Sequence, residues 1–135
     1  MDQAALWRPT LRPSPLNGMS EVPQLLLRWE PFVGDLLDRT AKFPKAVRFT
    51  FAQRIDSVAL DILQQLVRAR FGTGRLRSAA LAEADLQIAQ LRVLLRLAHA
   101  RQMLDHRGYE HVSRELDECG RMLGGWRKQA GTDAA

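Results

Sequence analysis

The segment from about Arg75 to Leu104 carries apolar residues on two opposite sides of a helix, and this feature constrains the fold most. One stripe, at three- and four-residue spacing, consists of Leu81, Ala84, Ile88, Leu91, Leu95 and Ala98. At about 100° per residue, a second stripe lies nearly opposite and consists of Ala79, Ala82, Leu86, Val93 and Leu97. A helix that is apolar on both sides needs a packing partner on each side.

The second stripe predicts an interface between subunits. Because a single four-helix bundle encloses one core, only one stripe can be covered within the chain. We therefore expect Leu86, Val93 and Leu97 to lie where copies of the chain meet in a homo-oligomer. The alternative is a third helix that is enclosed entirely within one fold.

The rest of the chain predicts three more helices. The first runs from about Glu30 to the residue before Pro44, because Pro31 suits a first helical turn and proline disfavours helical geometry at the residue before it. The second runs from about Pro44 to a glycine turn at residues 72–74, and the fourth follows a turn at residues 105–108. In chain order, their apolar stripes are Trp29, Val33, Leu36, Thr40 and Phe43; Phe51, Ile55, Val58, Ile62, Leu66 and Ala69; and Tyr109, Val112, Leu116, Cys119, Leu123 and Trp126.

Four amphipathic helices joined by short turns predict an all-α, antiparallel up-down four-helix bundle. We place this domain at residues 24–128, between a proline-rich flexible tail at residues 1–23 and a flexible C-terminal tail at residues 129–135. No apolar run reaches the roughly 18 residues that a membrane-spanning helix needs. The single cysteine, Cys119, excludes an intramolecular disulfide and fits a reducing compartment. We expect a soluble cytoplasmic protein.

The chain is basic and its cations are mostly arginine. The net charge is +5, and 17 of the 20 basic residues are arginine, the exceptions being Lys42, Lys45 and Lys128. Arginine makes forked contacts with phosphate and stacks on flat rings, so this bias suits a nucleic-acid partner. The alternative is a genome of high GC content, whose codons favour arginine over lysine.

The positive charge is concentrated between Lys42 and Arg77, where eight cations face only Asp56 and Asp61, an excess of six. Such a distribution can follow a phosphate backbone. The alternative is that arginine stems cover apolar surface while their charged ends meet water, and Arg48 and Arg54 could equally hold carboxylates. The predicted nucleic-acid or partner-binding residues are Lys42 and Lys45 near Pro44, Arg68, Arg70, Arg75 and Arg77 around the glycine turn, and Arg92 and Arg96 on helix three.

No set of residues predicts catalysis, a metal or a cofactor. His111 and Glu115 are four residues apart, but a surface polar pair is a simpler interpretation than a metal site. Cys119 belongs to an apolar stripe and is predicted to be a packing residue. The glycine turn lacks the Gly-Lys-Ser/Thr sequence of a phosphate-binding loop. We therefore expect a protein that is not an enzyme.

Two strings of residues resemble a known family. They are K-F-P-K-A-V-R-F-T, from Lys42, with Arg54-Ile55 after it, and Y-E-H-V-S-R with G-R-M-L-G-G-W, which end at Trp126. The segment from about Glu30 to Trp126 resembles the Avd family, the accessory variability determinants of diversity-generating retroelements, and related proteins of ribosomal-RNA intervening sequences. The family often has Leu-Gly where this chain has Phe-Ala at residues 51–52, and a more apolar segment after the tryptophan.

The resemblance implies a four-helix bundle that assembles into a pentameric barrel with a basic surface. It also implies that the protein binds a reverse transcriptase and nucleic acid, template RNA or cDNA, and supports mutagenic retrohoming. On this view, the corner between helices one and two is fixed by the motif residues Phe43, Pro44, Arg48, Phe49 and Thr50. Two alternatives are a stand-alone RNA-binding bundle of the intervening-sequence type and a purely structural oligomer.

Overall fold

The structure, a computed structural model, describes residues 23–134, which contain four α-helices and no strand. The helices are α1 (Gln24–Thr40), α2 (Gln53–Phe71), α3 (Gly74–Ala100) and α4 (His106–Ala134). A 3-10 turn at Lys45–Val47 and a π-helical turn at Arg48–Ala52 lead into α2. The helices form a four-helix bundle, so the predicted fold class is confirmed at this level. The predicted tail at residues 1–23 lies outside the described residues, apart from Pro23.

The core is built from the stripes that the sequence predicts. Trp29 lies at its centre, fully buried, and its indole Nε1 donates a hydrogen bond to the carbonyl oxygen of Ala59 over 3.0 Å. This bond satisfies the one polar atom of the ring and joins α1 to α2. The largest side chains that are fully buried around it are Leu36, Ile55, Ile62, Leu66, Leu81, Ile88, Leu91, Leu95, Val112, Leu116 and Leu123.

Helix α1 starts at Gln24, and the predicted start near Glu30 is wrong. Leu25 and Leu26 are buried in the core, and burying each such side chain stabilises the fold by roughly 1.5–3 kcal/mol. That gain outweighs the cost of the backbone hydrogen bond that Pro31, which has no N–H, cannot donate. Pro31 therefore lies inside the helix and not in its first turn. The predicted end before Pro44 is confirmed.

The connection between α1 and α2 is anchored by Thr40. Its hydroxyl lies 2.6 Å from Oδ1 of Asp56, to which it donates. Burial raises the pKa of the Asp56 carboxyl, and the hydrogen bond from Thr40 acts in the opposite direction. Phe43, just before Pro44, is also buried. The side chains of Thr40 and Phe43 therefore hold the corner between the two helices.

The start of the second helix differs from the regular helix that was predicted from Pro44. Val47 has a φ of −109° and a ψ of 11°, which interrupts the helix, and residues 48–52 then form a wider π turn. As a result Phe49 faces solvent, with 79% of its surface exposed, while Phe51 packs partly against the core. Phe49 therefore does not fix the corner, and Arg48 and Thr50 are exposed as well.

The turn between α2 and α3 is short because glycine allows it. The N–H of Gly72 donates to the carbonyl oxygen of Arg68 over 2.8 Å, and a Cβ at Gly72 would lie 2.8 Å from that same oxygen. Gly74, which begins α3, has a φ of +55°, a conformation that favours glycine. The glycine turn predicted at residues 72–74 is thus confirmed.

Helix α3 buries one stripe and exposes the other. The stripe of Leu81 and Ile88 is buried against α2 and α4, whereas Leu86, Val93 and Leu97 keep 66%, 50% and 45% of their surface exposed. The alternative of a helix enclosed entirely within one fold is therefore wrong for the protomer.

Helix α4 is longer than predicted and continues to Ala134. Residues 129–134 are helical where a flexible tail was predicted, because Ala130 is buried and continues the apolar stripe. At the other end, the carboxylate of Asp105 accepts a hydrogen bond from the N–H of Gly108 over 2.6 Å and so caps a helix that starts at His106. None of the helices within residues 23–134 is both long and apolar enough to cross a membrane.

Candidate nucleic-acid interface

The turn between α2 and α3 brings four predicted arginines to one end of the bundle. Arg68 and Arg75 are exposed and form no ion pair within the described part of the chain. Arg77 is engaged, because its Nε donates to the carbonyl oxygen of Ala69 over 2.7 Å and its Nη2 to that of Arg70 over 3.3 Å. A cation that binds the last carbonyls of a helix stabilises that helix end. Arg77 therefore has a structural role.

Arg70, in the same turn, is held by packing. Its guanidinium carbon lies 5.1 Å from the centroid of the Phe71 ring, a cation–π arrangement. Its Nη1 is buried and has no hydrogen-bond partner in residues 23–134. Of the four arginines at this turn, Arg68 and Arg75 are the two that remain fully available to a phosphate. We call these two residues the turn cluster.

A second group of cations lies at the opposite end of α2. Lys42, Lys45, Arg48 and Arg54 are all exposed, and none of them forms an ion pair with another described residue. Helix α2 has 19 residues and is therefore about 28 Å long at 1.5 Å per residue. The structure thus separates the predicted basic residues into two groups at the two ends of one helix. We call this second group the corner cluster.

Arg92 and Arg96 on α3 are not equivalent. Nε of Arg92 lies 3.4 Å from Oδ1 of Asp117 on α4, and its guanidinium lies against Gly120, where a Cβ would be 2.6 Å from Nη2. Exposed ion pairs of this kind contribute little stability, but this one reduces the charge that Arg92 offers to a ligand. Arg96 is exposed and makes no ion pair with a described residue.

The charged face of α4 is paired partly within the helix and partly with α3. Glu110 and Arg114, which are four residues apart, lie 3.9 Å from each other. Arg121, however, pairs with Glu118, since Asp117 is directed to Arg92 on α3. The hydrogen bond and charge of Arg121 lower the pKa of Glu118. This face is consistent with a solvated surface whose charges largely cancel.

The residues considered for a metal or a nucleophile are used elsewhere. Glu115 receives a forked contact from Arg28, with Nη2 and Oε1 3.0 Å apart, and His111 lies 3.7 Å from Asp35. Across residues 23–134, no three His, Cys, Asp or Glu side chains are arranged to hold a metal ion. Cys119 is buried, and burial with the nearby charge of Glu115 raises the pKa of its thiol to about 12. It packs in the core, as predicted.

Sequence reasoning missed an open groove of about 630 Å³ between α2 and α3. It is lined mainly by polar side chains of the π turn and α2, by Gln90 of α3, and by the apolar residues Phe49 and Val58. One signal was present in the sequence. Phe49 and Phe51 are two residues apart, about 200° around a regular helix, so both rings cannot face one core.

A comparison with protein families identifies a match over most of the chain. A family model described as bAvd-like matches residues 25–130, a range that includes nearly all of the four helices. No curated protein and no solved structure matches the chain.

Proposed function

Because the chain belongs to the bAvd-like family, we propose that it is a non-enzymatic accessory protein of a diversity-generating retroelement. In this role it binds the reverse transcriptase and the template RNA or its cDNA, and thereby supports mutagenic retrohoming. Family membership supports an accessory protein of the retroelement kind. The residues of the two basic clusters support the more specific role.

The observation that carries nucleic-acid binding is the unpaired state of both clusters. The turn cluster and the corner cluster contain six cations that no described carboxylate neutralises. Cations without a partner in the protein are free to replace the counterions of a phosphate backbone, and the released counterions drive binding. Two such groups about one helix length apart suit an extended polyanion better than a small anion.

Charge reversal in the turn cluster tests this proposal. The double variant Arg68→Glu and Arg75→Glu is compared with Arg107→Glu and Arg114→Glu, which make the same charge change on α4. We expect only the first variant to weaken binding of template RNA and to lower the salt dependence of log K by roughly 0.7 for each phosphate that the protein no longer neutralises. Equal weakening by both variants would mean that net charge alone matters. Binding that salt does not affect would favour the structural oligomer.

We also propose that the protein assembles as a homo-pentamer. The exposed stripe of Leu86, Val93 and Leu97 on α3 supports an interface, and α2 offers a second exposed apolar pair, Leu60 and Val67. A ring with an odd number of subunits needs two different surfaces that fit each other, since each subunit contacts its neighbours head to tail. Two distinct apolar surfaces on one protomer meet this requirement. Light scattering should give about five times the 15.3 kDa of one chain.

Within each protomer, an antiparallel up-down order of the helices is part of the same proposal. It is supported by pairs that join α1 to α4: Arg28 contacts Glu115, whereas Asp35, further along α1, approaches the earlier residue His111.

The retroelement role has a direct genomic test. A gene for a reverse transcriptase beside this one, together with paired template and variable repeats, would support it. Their absence from the locus would favour the stand-alone RNA-binding bundle.

A further inference from the structure

Phe49 is an aromatic side chain that the fold does not use. It is the most exposed of the large apolar residues in the described chain, at 79%. It projects from the π turn at Arg48–Ala52, and wide turns of this kind are rare and often lie at functional sites. An exposed ring at the end of a helix offers a flat apolar surface.

The groove beside Phe49 is largely polar, and four of its polar side chains are unpaired within the described chain. Its walls include Gln53, Ser57 and Asp61 on α2 and Gln90 on α3. None of these four side chains forms a hydrogen bond with another described residue. Amide, hydroxyl and carboxylate groups supply both donors and acceptors, and these are the groups that recognise the edges of bases.

The chain on either side of Phe49 is positively charged. Arg54 lines the groove, and Lys45 and Arg48 lie within four residues of Phe49 along the chain. Asp61 is the one acidic residue in the lining. A ligand that suits this combination carries negative charge, a flat ring and hydrogen-bonding edges together.

We propose that this groove binds an unpaired base of a single-stranded nucleic acid. The base stacks on the Phe49 ring, its edge meets Gln53 or Gln90, and the adjoining phosphates face the corner cluster. Stacking on an exposed aromatic side chain is the common way in which proteins bind single strands. A base within a duplex is already stacked and paired, so the groove selects single strands. This inference rests on the proposed nucleic-acid binding and adds to it the form of nucleic acid.

The test compares three substitutions of one residue in the full chain. Phe49→Ala removes the ring, Phe49→Leu keeps an apolar side chain without a ring, and Phe49→Tyr keeps the ring. Each protein is titrated, at one salt concentration, with a single-stranded RNA of mixed sequence, a DNA of the same sequence and the corresponding RNA duplex. Circular dichroism is used to check that each variant is folded. We expect all three to fold, because the Phe49 side chain is exposed.

We expect Phe49→Ala and Phe49→Leu to weaken single-strand binding roughly 5- to 150-fold, the range for losing one stacked base. Phe49→Tyr should bind like the wild type, and the duplex should be unaffected by all three. The RNA and DNA arms show which strand the groove prefers, and a loss on either supports the proposal.

Three results would overturn it. Phe49→Leu binding single strands as well as the wild type would show that the ring is not used. An equal loss for duplex would show a general effect on binding. A poly-glutamate peptide that displaces RNA from the wild type but does not bind Phe49→Ala would identify a protein-binding groove. If the wild type binds neither strand form, the proposed function fails together with this inference, whereas a variant without effect removes this inference alone.

Discussion

Arg77 reaches back across the glycine turn and binds the carbonyl oxygen of Ala69 with its Nε over 2.7 Å. A residue in the first turn of α3 thus caps the C-terminal end of α2. Arg75, two positions earlier, is exposed and makes no such bond within residues 23–134. Two arginines of one predicted cluster therefore have separable roles.

This separation gives the first prediction. Arg77→Ala should lower the free energy of unfolding by about 1–2 kcal/mol, because it removes hydrogen bonds from a charged donor. Arg75→Ala should leave unfolding unchanged and weaken nucleic-acid binding. Thermal melts and RNA titrations of both variants distinguish the two effects. A stability loss from Arg75→Ala equal to that from Arg77→Ala would contradict the assignment.

The second prediction concerns assembly. Val93→Asp should dissociate the proposed oligomer, because it would place an unpaired charge in a subunit interface. Leu27→Asp is the matched control, since Leu27 on α1 is also 50% exposed and lies outside the α3 stripe. Native mass from light scattering should fall only for Val93→Asp. An unchanged mass would move the interface away from this stripe.

The third prediction concerns the turn that joins α2 to α3. Gly72→Ala should destabilise the protein by roughly 1–3 kcal/mol, because its Cβ would meet the carbonyl oxygen of Arg68, a backbone atom that cannot move freely. Gly34→Ala on α1 is the control, since a Cβ there meets nothing within 4 Å. It should be neutral or slightly stabilising. Denaturant unfolding of the two variants measures the difference.

The fourth prediction concerns the thiol of Cys119. Its pKa is raised from 9.0 to about 12, chiefly by burial, so the folded protein holds the proton more tightly than the unfolded chain does. The resulting stabilisation is complete below pH 9 and is lost as the pH rises towards about 12. Alkylation in mildly alkaline buffer should be slow in the folded protein and fast in denaturant. Equal rates in the two states would show that the thiol is accessible.

Helical periodicity predicted the bundle because most of its stability comes from burying one stripe per helix. It identified the members of the core, such as Trp29 and Leu116, and the exposed second stripe of α3. The start of α1 lies six residues before the one that periodicity and Pro31 predict, because the burial of Leu25 and Leu26 outweighs the preference of proline for a first turn.

The candidate site was less predictable, because a charge count does not show where each guanidinium is directed. Arg77 and Arg92 are engaged by a carbonyl oxygen and a carboxylate that are distant in sequence or lie across a turn. The π turn that exposes Phe49 depends on backbone angles at Val47 that periodicity does not contain. The groove between α2 and α3 arises only when the two helices are packed together.

The contact of Arg92 with Gly120 has a consequence for how the bundle displays its charge. A methyl group at position 120 would overlap only the mobile end of the Arg92 side chain, so the fold tolerates it. The guanidinium would then have to move away from position 120. The size of one residue on α4 thus sets the direction of a cation that α3 carries, and the electrostatic surface can be retuned without adding or removing any charge.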